Sequence, residues 1–375
     1  MNRKLTQDEL DPALRNVPPV LTPEEAADLL RITKNDTTVL SLEDKARKDA
    51  VKEPYMRVHN YQLRAGITRT PEFEKKGLAT HAANVGTKCG HNCRYCSSGA
   101  VLRMHPSFRH CGEDPFAFGC AIVDPNTPER VAKDAERIQE QGLVQLCTLT
   151  DAWAPEAQEH RLGRRCIEAI LPQPGWRVRV LTKNTAVADD FDLIERYRDR
   201  VLVGLSITGT SDQEEALKAI EPYASPIRER MAALREAHAR GLRTYGMFCP
   251  ILPGIADSPE QIDELVQLAC ECGAEEIFAE AMNRRGRGLI LTRKALAEHG
   301  YHQQAEAIAV IRNRVRWSRY VVGLIQHVQC SVRRFHDISK LRFLLYPDGL
   351  TSEDLTRVGE DDAGVVWLGK KQPAE

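Results

Sequence analysis

From residue 79 to residue 285, short apolar runs alternate with longer stretches in which apolar residues recur at helical spacing. A short apolar run bounded by turn residues predicts a buried strand, and the amphipathic stretches predict helices. The predicted strands cover residues 82–87, 143–149, 176–182, 201–207, 242–251 and 276–281, and the predicted helices cover residues 127–141, 156–171, 188–197, 225–240 and 258–272. Strands that alternate with crossover helices form a parallel sheet, so the pattern predicts an α/β domain.

The segment before this domain, residues 1–78, is predicted to be an accessory segment with helices. Thr22 is expected to be an N-cap and Pro23 the first helical residue, because this pair is typical of a helix start. The charged residues 43–57 predict a further helix.

The segment after the domain, residues 286–375, predicts an α+β extension with a basic helix and an acidic tail. We expect the helix over residues 305–319, and strands over residues 320–328 and 342–346. The acidic stretch covers residues 352–362, and the last few residues are expected to be disordered.

The charges nearly cancel, with 52 basic and 53 acidic side chains. This balance excludes a global field that would attract nucleic acid, but it allows a local patch. The start of the chain has no apolar core of signal-peptide length, and no apolar run reaches the roughly 18 residues of a membrane helix. Eleven cysteines in such a chain are expected to be reduced thiols. We therefore expect a soluble, cytoplasmic protein without a membrane partner.

Three cysteines, Cys89, Cys93 and Cys96, come after the first predicted strand at C-x3-C-x2-C spacing. Thiolate sulfur binds iron–sulfur clusters, and three such ligands leave one iron of a four-iron cluster open. Structural zinc is the alternative, and it requires a fourth ligand, for which His81 or His91 could serve. In parallel α/β folds the chemistry lies at the carboxyl ends of the strands, where this motif stands.

The motif, with the aromatic residue Tyr95 before its third cysteine, resembles the signature of the radical S-adenosylmethionine (radical SAM) superfamily. The resemblance implies a partial (β/α)6 barrel and a [4Fe–4S] cluster held by Cys89, Cys93 and Cys96. It also implies an enzyme whose reduced cluster splits S-adenosylmethionine, so that a 5′-deoxyadenosyl radical abstracts hydrogen from an organic substrate. A reductant protein such as flavodoxin or ferredoxin is implied as well.

Polar motifs at or near further strand ends resemble the spore-photoproduct-lyase-like group, also called DNA repair photolyases. They stand at residues 148–156, 181–183, 206–208, 221–230 and 250–257. The resemblance implies that Asp151 or Thr150 accepts from the ammonium of S-adenosylmethionine, that Lys183 pairs with its carboxylate, and that Ser206 binds its ribose. The backbone around Tyr95 and Ile251 is expected to face the adenine. The chain departs from the group at residues 152–154, where Ala-Trp-Ala replaces Pro-Tyr-Gln.

Cys147 lies near the place where spore photoproduct lyases carry a hydrogen-donating cysteine, and we assign it as a catalytic candidate. The alternative interpretation is a small buried hydrophobic residue, as free cysteines commonly are. Cys111 and Cys120 allow an auxiliary cluster or packed thiols. Arginines at residues 284–287 and 312–319 allow phosphate contacts or a solvated helix face.

Three hypotheses remain for the fate of the substrate radical after hydrogen abstraction. The first is modification or repair of a nucleic-acid base or lesion, which the group resemblance favours. The second is radical modification of a small molecule or peptide, and the third is a non-enzymatic iron–sulfur protein. The sequence leaves open whether the enzyme belongs to the lyase or the transferase class.

Overall fold

The computed structural model describes residues 56–282 and 287–369. The helix expected at Thr22, residues 43–55 of the helix expected over residues 43–57, and the arginines Arg284 and Arg285 lie outside the described residues. Arg57, at the end of that expected helix, instead begins a strand. The division into residues 1–78, 79–285 and 286–375 stays a prediction.

The described residues form an alternating series of strands and helices. The strands are β1 (Arg57–Asn60), β2 (Thr68–Arg69), β3 (His81–Ala83), β4 (Gly86–Lys88), β5 (Cys120–Val123), β6 (Leu143–Leu146), β7 (Arg177–Thr182), β8 (Val201–Leu205), β9 (Arg243–Thr244), β10 (Gly246–Ile251), β11 (Ile277–Ala281), β12 (Leu341–Leu345) and β13 (Val365–Trp367). The helices are α1 (Pro71–Lys75), α2 (Ser98–Val101), α3 (Pro106–Cys111), α4 (Thr127–Arg137), α5 (Pro155–Gln158), α6 (Leu162–Ile170), α7 (Phe191–Glu195), α8 (Glu214–Ile220), α9 (Ile227–Ala239), α10 (Pro259–Glu271), α11 (Gly288–Glu298), α12 (His302–Ala307), α13 (Arg314–Phe335) and α14 (Ser352–Glu360). No described helix is long and apolar enough to cross a membrane.

The main sheet is parallel apart from β2, which pairs antiparallel with β3, and it confirms the α/β class and the partial barrel. Strands β3, β6, β7 and β8 pair in that order, and β10, β11, β12 and β13 pair in that order. A parallel bridge between Ser206 and Met247 joins the two groups. The predicted units end at β11, whereas in the structure β12 and β13 of the C-terminal segment continue the same sheet.

The strands place alternate side chains on two faces, as the twofold period of a strand requires. On β7, Val178 and Val180 face the core that packs against the helices. Leu181 and residues from β8 to β12 form a second, inner cluster, whose buried members include Leu202, Tyr245, Met247, Phe278 and Leu344. Arg179 stacks on the rings of Tyr245 and Phe278. The barrel interior is therefore packed with side chains.

The first predicted strand is divided in the structure. β3 belongs to the main sheet, but β4 leaves it and pairs antiparallel with β5, which also pairs with β1. Between them, the side chain of Asn84 accepts from the amide nitrogens of Thr148 and Leu149 at 2.8 and 2.9 Å. A Cβ at Gly86 would lie 2.1 Å from the carbonyl oxygen of Ile122, so only glycine allows this close crossing.

The strand predicted over residues 320–328 is wrong, because these residues lie inside α13. The β-branched run resembles a strand, but its buried positions follow the helical period. Val321, Val322, Leu324, Ile325 and Val328 all pack into the core on one side of the helix. Tertiary packing against α10 and β11 therefore decides the element type.

Candidate active site

The cysteine loop, residues 89–96, comes directly after β4 and carries the three predicted cluster ligands. All three are free thiols: Cys89 and Cys93 are half-buried, and Cys96 is exposed. Burial raises the pKa of Cys89 well above its usual range and that of Cys93 to about 12. Thiolates at these two positions therefore need positive partners, which the iron of a cluster would supply.

One end of the cysteine loop is attached to a buried carboxylate. The amide nitrogen of Gly90 donates to Oε1 of Glu156 at 3.0 Å. Glu156 lies at the start of α5 and is only 3% exposed, and burial raises its pKa to about 7. A Cβ at Gly90 would lie 2.2 Å from Oε2 of Glu156 and 2.9 Å from Sδ of Met56. This end of the loop therefore has no room for a larger residue unless Glu156 moves.

The middle of the loop is held by His91. Its Nε2 lies 3.0 Å from Oδ2 of Asp151, and its Nδ1 lies 2.9 Å from the carbonyl oxygen of Tyr223. Both ring nitrogens are thus occupied, so His91 does not offer a nitrogen to a zinc ion in this arrangement. Asn92 has a left-handed backbone with φ 52°, and its side-chain amide donates to the carbonyl oxygen of Gly90 at 2.8 Å.

Asp151 connects the loop to the ends of β6 and β7. Its carboxylate accepts from the Thr182 hydroxyl at 2.8 Å, from the Lys183 amide nitrogen at 2.9 Å and, beyond His91, from the Trp153 amide nitrogen at 2.8 Å. Burial alone would raise the pKa of this carboxyl, but the neighbouring His91 and the hydrogen bonds lower it. Its role as acceptor for the ammonium of S-adenosylmethionine stays a prediction.

The other end of the loop meets a second buried carboxylate, Glu221, which stands directly after α8. The Tyr95 hydroxyl donates to Oε1 of Glu221. Oε1 also accepts from Lys183 Nζ at 3.0 Å and from Thr208 Oγ1 at 2.6 Å. Arg230 on α9 forms an ion pair with Oε2. Burial would raise the pKa of Glu221, but the charges of Arg230 and Lys183 outweigh it and hold the pKa far below its usual range.

The structure brings together two residues that the sequence places in separate strand ends. Lys183 comes after β7 and Ser206 after β8, and Lys183 Nζ lies 2.8 Å from Ser206 Oγ. The Ser206 hydroxyl also donates to the carbonyl oxygen of Cys249 at 3.2 Å. Lys183 Nζ also lies 5.5 Å from the centroid of the Tyr95 ring. The roles of Lys183 and Ser206 toward S-adenosylmethionine stay predictions.

Three other predicted residues have different surroundings. Thr150 lies beyond the end of β6, one residue before Asp151. The carbonyl oxygen of Ile251, the last residue of β10, accepts from the amide nitrogen of Met282 at 3.0 Å. Cys147 is buried with φ 65° and packs in the helix-side core, which also contains Cys166. Burial raises the pKa of Cys147 to about 12. The roles of all three stay predictions.

Glu156 and Glu221 had no predicted role, although both stand inside the polar motifs of the sequence. The signal that could have found them is the acidic residue in each motif, because a buried carboxylate must find donors. Glu156 stands directly after Pro155, and Glu221 precedes Pro222. Sequence motifs alone do not show which loop amide or hydroxyl each carboxylate meets.

The residues of the cysteine loop fit an iron–sulfur cluster. Across residues 56–282 and 287–369, no three His, Cys, Asp or Glu side chains are already spaced to hold a metal ion. The thiols of Cys89, Cys93 and Cys96 stand within one short loop, and none of them forms a disulfide. The neighbouring Gly90, His91 and Tyr95 are tied to the barrel, which leaves the soft sulfur donors to bind iron.

Two further sets of residues lie outside the cysteine loop, namely the arginines of 312–319 and the cysteines Cys111 and Cys120. Arg314 donates to the carbonyl oxygens of Gly349 and Leu350, so it has a structural partner. Cys120 is buried on β5, and Cys111 is half-buried at the end of α3. Both interpretations of these cysteines, an auxiliary cluster and packed thiols, stay open.

Three curated proteins that are similar to this chain are described as uncharacterised. A protein of Acidianus two-tailed virus is 26% identical over 212 residues, which cover 56% of this chain and 69% of that protein. A protein of Methanocaldococcus jannaschii is 22% identical over 251 residues, 67% of this chain and 86% of that protein. A Mycobacterium tuberculosis protein is 25% identical over 201 residues, 53% of this chain and 57% of that protein.

Solved structures of spore photoproduct lyase are similar to part of the chain. One variant aligns with 18% identity and a TM-score of 0.43, covering 63% of this chain and 72% of that chain. A variant with bound AdoMet and dinucleoside spore photoproduct aligns with 16% identity and a TM-score of 0.41, with the same coverage. Residues 83–269, which contain the cysteine loop and the ends of β6 to β10, match the family model of the radical SAM superfamily. The chain therefore belongs to the radical SAM superfamily and is an enzyme whose cofactors are a [4Fe–4S] cluster and S-adenosylmethionine.

Proposed function

We propose that this radical SAM enzyme modifies or repairs a base in a nucleic acid. Cys89, Cys93 and Cys96 hold the cluster, and the strand ends at Asp151, Lys183 and Ser206 bind S-adenosylmethionine. When bound there, the cluster would supply the electron that splits S-adenosylmethionine, and the resulting 5′-deoxyadenosyl radical would abstract hydrogen from the substrate. A flavodoxin or ferredoxin supplies the electron.

The observation that carries the substrate proposal is a basic, partly apolar surface directly after the cysteine loop. We define the basic surface as Val101, Arg103, Met104 and Arg109, together with Arg64, whose charge acts on the intervening His105. Met104 is 86% exposed and Val101 is 68% exposed, and both stand only a few residues after Cys96. The three arginines are exposed, and among the described residues none of them has an ion-pair partner.

The basic surface also carries aromatic rings. The ring of Tyr61 lies 5.8 Å from that of His105 and 5.5 Å from that of His110, both in edge-to-face geometry. Unpaired arginines bind phosphates, and exposed apolar or aromatic side chains stack on or wedge between bases. A nucleic acid bound here would present a base near the cysteine loop.

The chain's own residues position the reaction. Lys183 pairs with the carboxylate of S-adenosylmethionine by a charge-assisted bond, and Ser206 binds its ribose. Asp151 orients both the loop and the end of β7 through its hydrogen bonds. The packed barrel interior below excludes water from the reacting groups.

A second candidate function is the modification of a small molecule or peptide. It is supported by the balanced charge of the whole chain, with a formal net charge of −1. A small substrate would need no contact with the exposed arginines of the basic surface. Binding measurements therefore separate the two candidates.

The test is binding of single-stranded and duplex DNA and RNA oligonucleotides by fluorescence anisotropy at a series of salt concentrations. We expect a linear fall of log K with log salt, and a slope reduced by about one for each arginine removed in Arg103→Ala and Arg109→Ala. Arg177→Ala is the matched control, because Arg177 is also exposed but begins β7 at the opposite end of the sheet. No binding of any oligonucleotide at low salt would overturn the nucleic-acid proposal.

The radical chemistry has its own test. Anaerobically reconstituted enzyme, reduced with dithionite, should convert S-adenosylmethionine to 5′-deoxyadenosine, and the Cys89→Ala variant should lose both this activity and its cluster spectrum. A Cys147→Ala variant with unchanged turnover and product would remove Cys147 as a hydrogen donor. Full iron content in Cys89→Ala would contradict the assignment of the ligands.

A further inference from the structure

We infer that Glu221 and Arg230 are positioning residues that leave Lys183 with a spare positive charge for the carboxylate of S-adenosylmethionine. This inference rests on the proposed role of Lys183. It goes beyond that role because neither Glu221 nor Arg230 is among the residues that were predicted to bind the cofactor.

The first argument is the geometry of the buried cluster. Glu221 is 2% exposed and Arg230 is 1% exposed, so both side chains are removed from water. Oε1 of Glu221 accepts from Lys183 at 3.0 Å, while Oε2 accepts from the guanidinium of Arg230. Arg230 also donates to the carbonyl oxygen of Ser206 at 2.6 Å. The pair therefore fixes both Lys183 and the strand end that carries Ser206.

The second argument is the charge balance. Lys183 and a buried glutamate alone would form a neutral pair, which would offer little attraction to an incoming anion. Arg230 supplies a second cation for the one carboxylate of Glu221, so the three groups together keep one positive charge. A buried excess charge is costly unless a counter-charge arrives. The carboxylate of S-adenosylmethionine is the anion that the proposed function brings to Lys183.

The third argument is that the cysteine loop shares the same acceptor. The hydroxyl of Tyr95 donates to Oε1 of Glu221, the oxygen that also holds Lys183. The charges of Glu221, Lys183 and Arg230 also act on the neighbouring Cys93. A change in the position of Lys183 therefore acts, through Glu221, on Tyr95 beside Cys96. Binding of S-adenosylmethionine should be visible in the spectrum of the cluster.

The experiment compares the holoenzyme with an Arg230→Gln variant and an Arg230→Gln/Glu221→Gln double variant. Iron content and the cluster spectrum are measured first, then the Kd of S-adenosylmethionine by calorimetry, and the change in the electron paramagnetic resonance signal of the reduced cluster on binding. Arg230→Gln lets Glu221 neutralise Lys183, so we expect the Kd to rise about 30-fold. The double variant restores one net positive charge, so its Kd should return to within about fivefold of wild type.

Two further variants control for general damage. Arg230→Lys keeps the charge and should bind S-adenosylmethionine within about threefold of wild type. Arg179→Gln removes another buried arginine, which pairs with Glu276 at 2.8 Å. Because Arg179 stacks on Tyr245 and Phe278 inside the barrel and does not contact Lys183 or Glu221, its loss should leave the Kd unchanged.

The outcomes separate this inference from the proposed function. A wild-type holoenzyme that does not bind S-adenosylmethionine would overturn the proposed function. A wild type that binds, together with an Arg230→Gln variant of equal affinity, would overturn the inference alone. The double variant contains no stranded carboxylate, so it stays informative even if Arg230→Gln does not fold. A more than 50-fold loss of affinity in the double variant would overturn the charge argument.

Discussion

The two ends of the cysteine loop are held by the same residue type in opposite electrostatic surroundings. Glu221 receives four donors at the Tyr95 end, two of them cationic. Glu156 receives the Gly90 amide at the other end, and its Oε2 is buried without a hydrogen-bond partner among the described residues. The pKa of Glu221 is held far below its usual range, whereas that of Glu156 is raised to about 7.

This difference teaches that burial does not by itself decide whether a carboxyl is charged. At Glu221 the two cations outweigh the cost of burial, so the group acts as an anion that organises Lys183 and Arg230. At Glu156 burial wins, so the group is mainly a hydrogen-bond acceptor that fills the space under Gly90. One end of the loop is fixed by charge and the other by shape.

The largest expected effect is the loss of the cation that balances Glu221. Arg230→Met leaves a buried carboxylate with only Lys183 as its counter-charge, and we expect the apoprotein to lose about 3–5 kcal/mol of unfolding free energy. Urea unfolding measures it. In Arg179→Met, Glu276 keeps Arg342 as a partner at 3.6 Å and is partly exposed, so the loss should be smaller. Equal losses in both variants would show that the surroundings of Glu221 are not special.

The second effect is a pH dependence of the unfolding free energy, with opposite signs for Glu156 and Glu221 at the two ends of the cysteine loop. Glu156 keeps its proton up to about pH 7 in the folded apoprotein, while the unfolded chain releases it near the ordinary pKa of 4.5. Its contribution to stability is therefore complete below pH 4.5 and falls by at most about 3 kcal/mol as the pH rises to 7. Glu221 contributes with the opposite sign, because its pKa is lowered in the folded protein. Its contribution to stability is lost as the pH falls below 4.5, the ordinary pKa of a glutamate.

The Glu156→Gln variant sharpens this measurement, because an amide does not titrate. Unfolding of the apoprotein in urea is measured from about pH 3 to pH 8, and between pH 4.5 and pH 8 the variant should show a flatter profile than wild type. The acid side of the profile, which depends on Glu221, should be unchanged. A variant profile that parallels the wild type from pH 4.5 to pH 7 would contradict the assignment to Glu156.

A smaller effect is expected at Gly90, where close packing against Glu156 holds the loop. Gly90→Ala places a Cβ 2.2 Å from Oε2 of Glu156, and the carboxyl must rotate away from the Gly90 amide. We expect a loss of about 1–3 kcal/mol in unfolding free energy. The loss should shrink in a Glu156→Asp background, where the carboxylate is shorter. Gly323→Ala, with open space around its Cα, is the matched control and should not destabilise.

The smallest effect lies in the middle of the loop. Asn92 has φ 52°, a left-handed conformation that asparagine and glycine adopt more easily than alanine. Asn92→Ala should lose about 1 kcal/mol, and Asn92→Gly should lose less. Equal losses of unfolding free energy in the two variants would mean that the middle of the loop is held by the hydrogen bond from the Asn92 side chain to Gly90, and not by the backbone conformation.

Sequence patterns predicted the parts of this molecule that depend on local periodicity. The parallel sheet and the helix predicted over residues 258–272, which the structure shows as α10, arise from such patterns. The approach of Lys183 to Ser206 agrees with the rule that parallel strands end at one edge. The strand expected at residues 320–328 failed because a β-branched run does not reveal a helical set of packing partners.

The two carboxylates of the site could not be assigned for a different reason. Glu156 and Gly90 are 66 residues apart in the chain, and Tyr95 and Glu221 are 126 apart. Each contact forms only when crossover helices bring distant loops together, and no local spacing encodes it. The motifs identified the segments, while the fold determines which side chain meets the cysteine loop.

The early departure of the chain from the main sheet has a consequence for how such an enzyme can diversify. β3 pairs directly with β6, although residues 84–142 lie between them in the chain. This excursion carries the cysteine loop, the part of the basic surface from Val101 to Arg109, and two of the three strands of a small separate sheet, β4 and β5. Insertions within residues 97–119 would leave the β3–β6 pairing in register. Residues 97–119 can therefore receive new recognition segments, while the cysteine loop beside them stays unchanged.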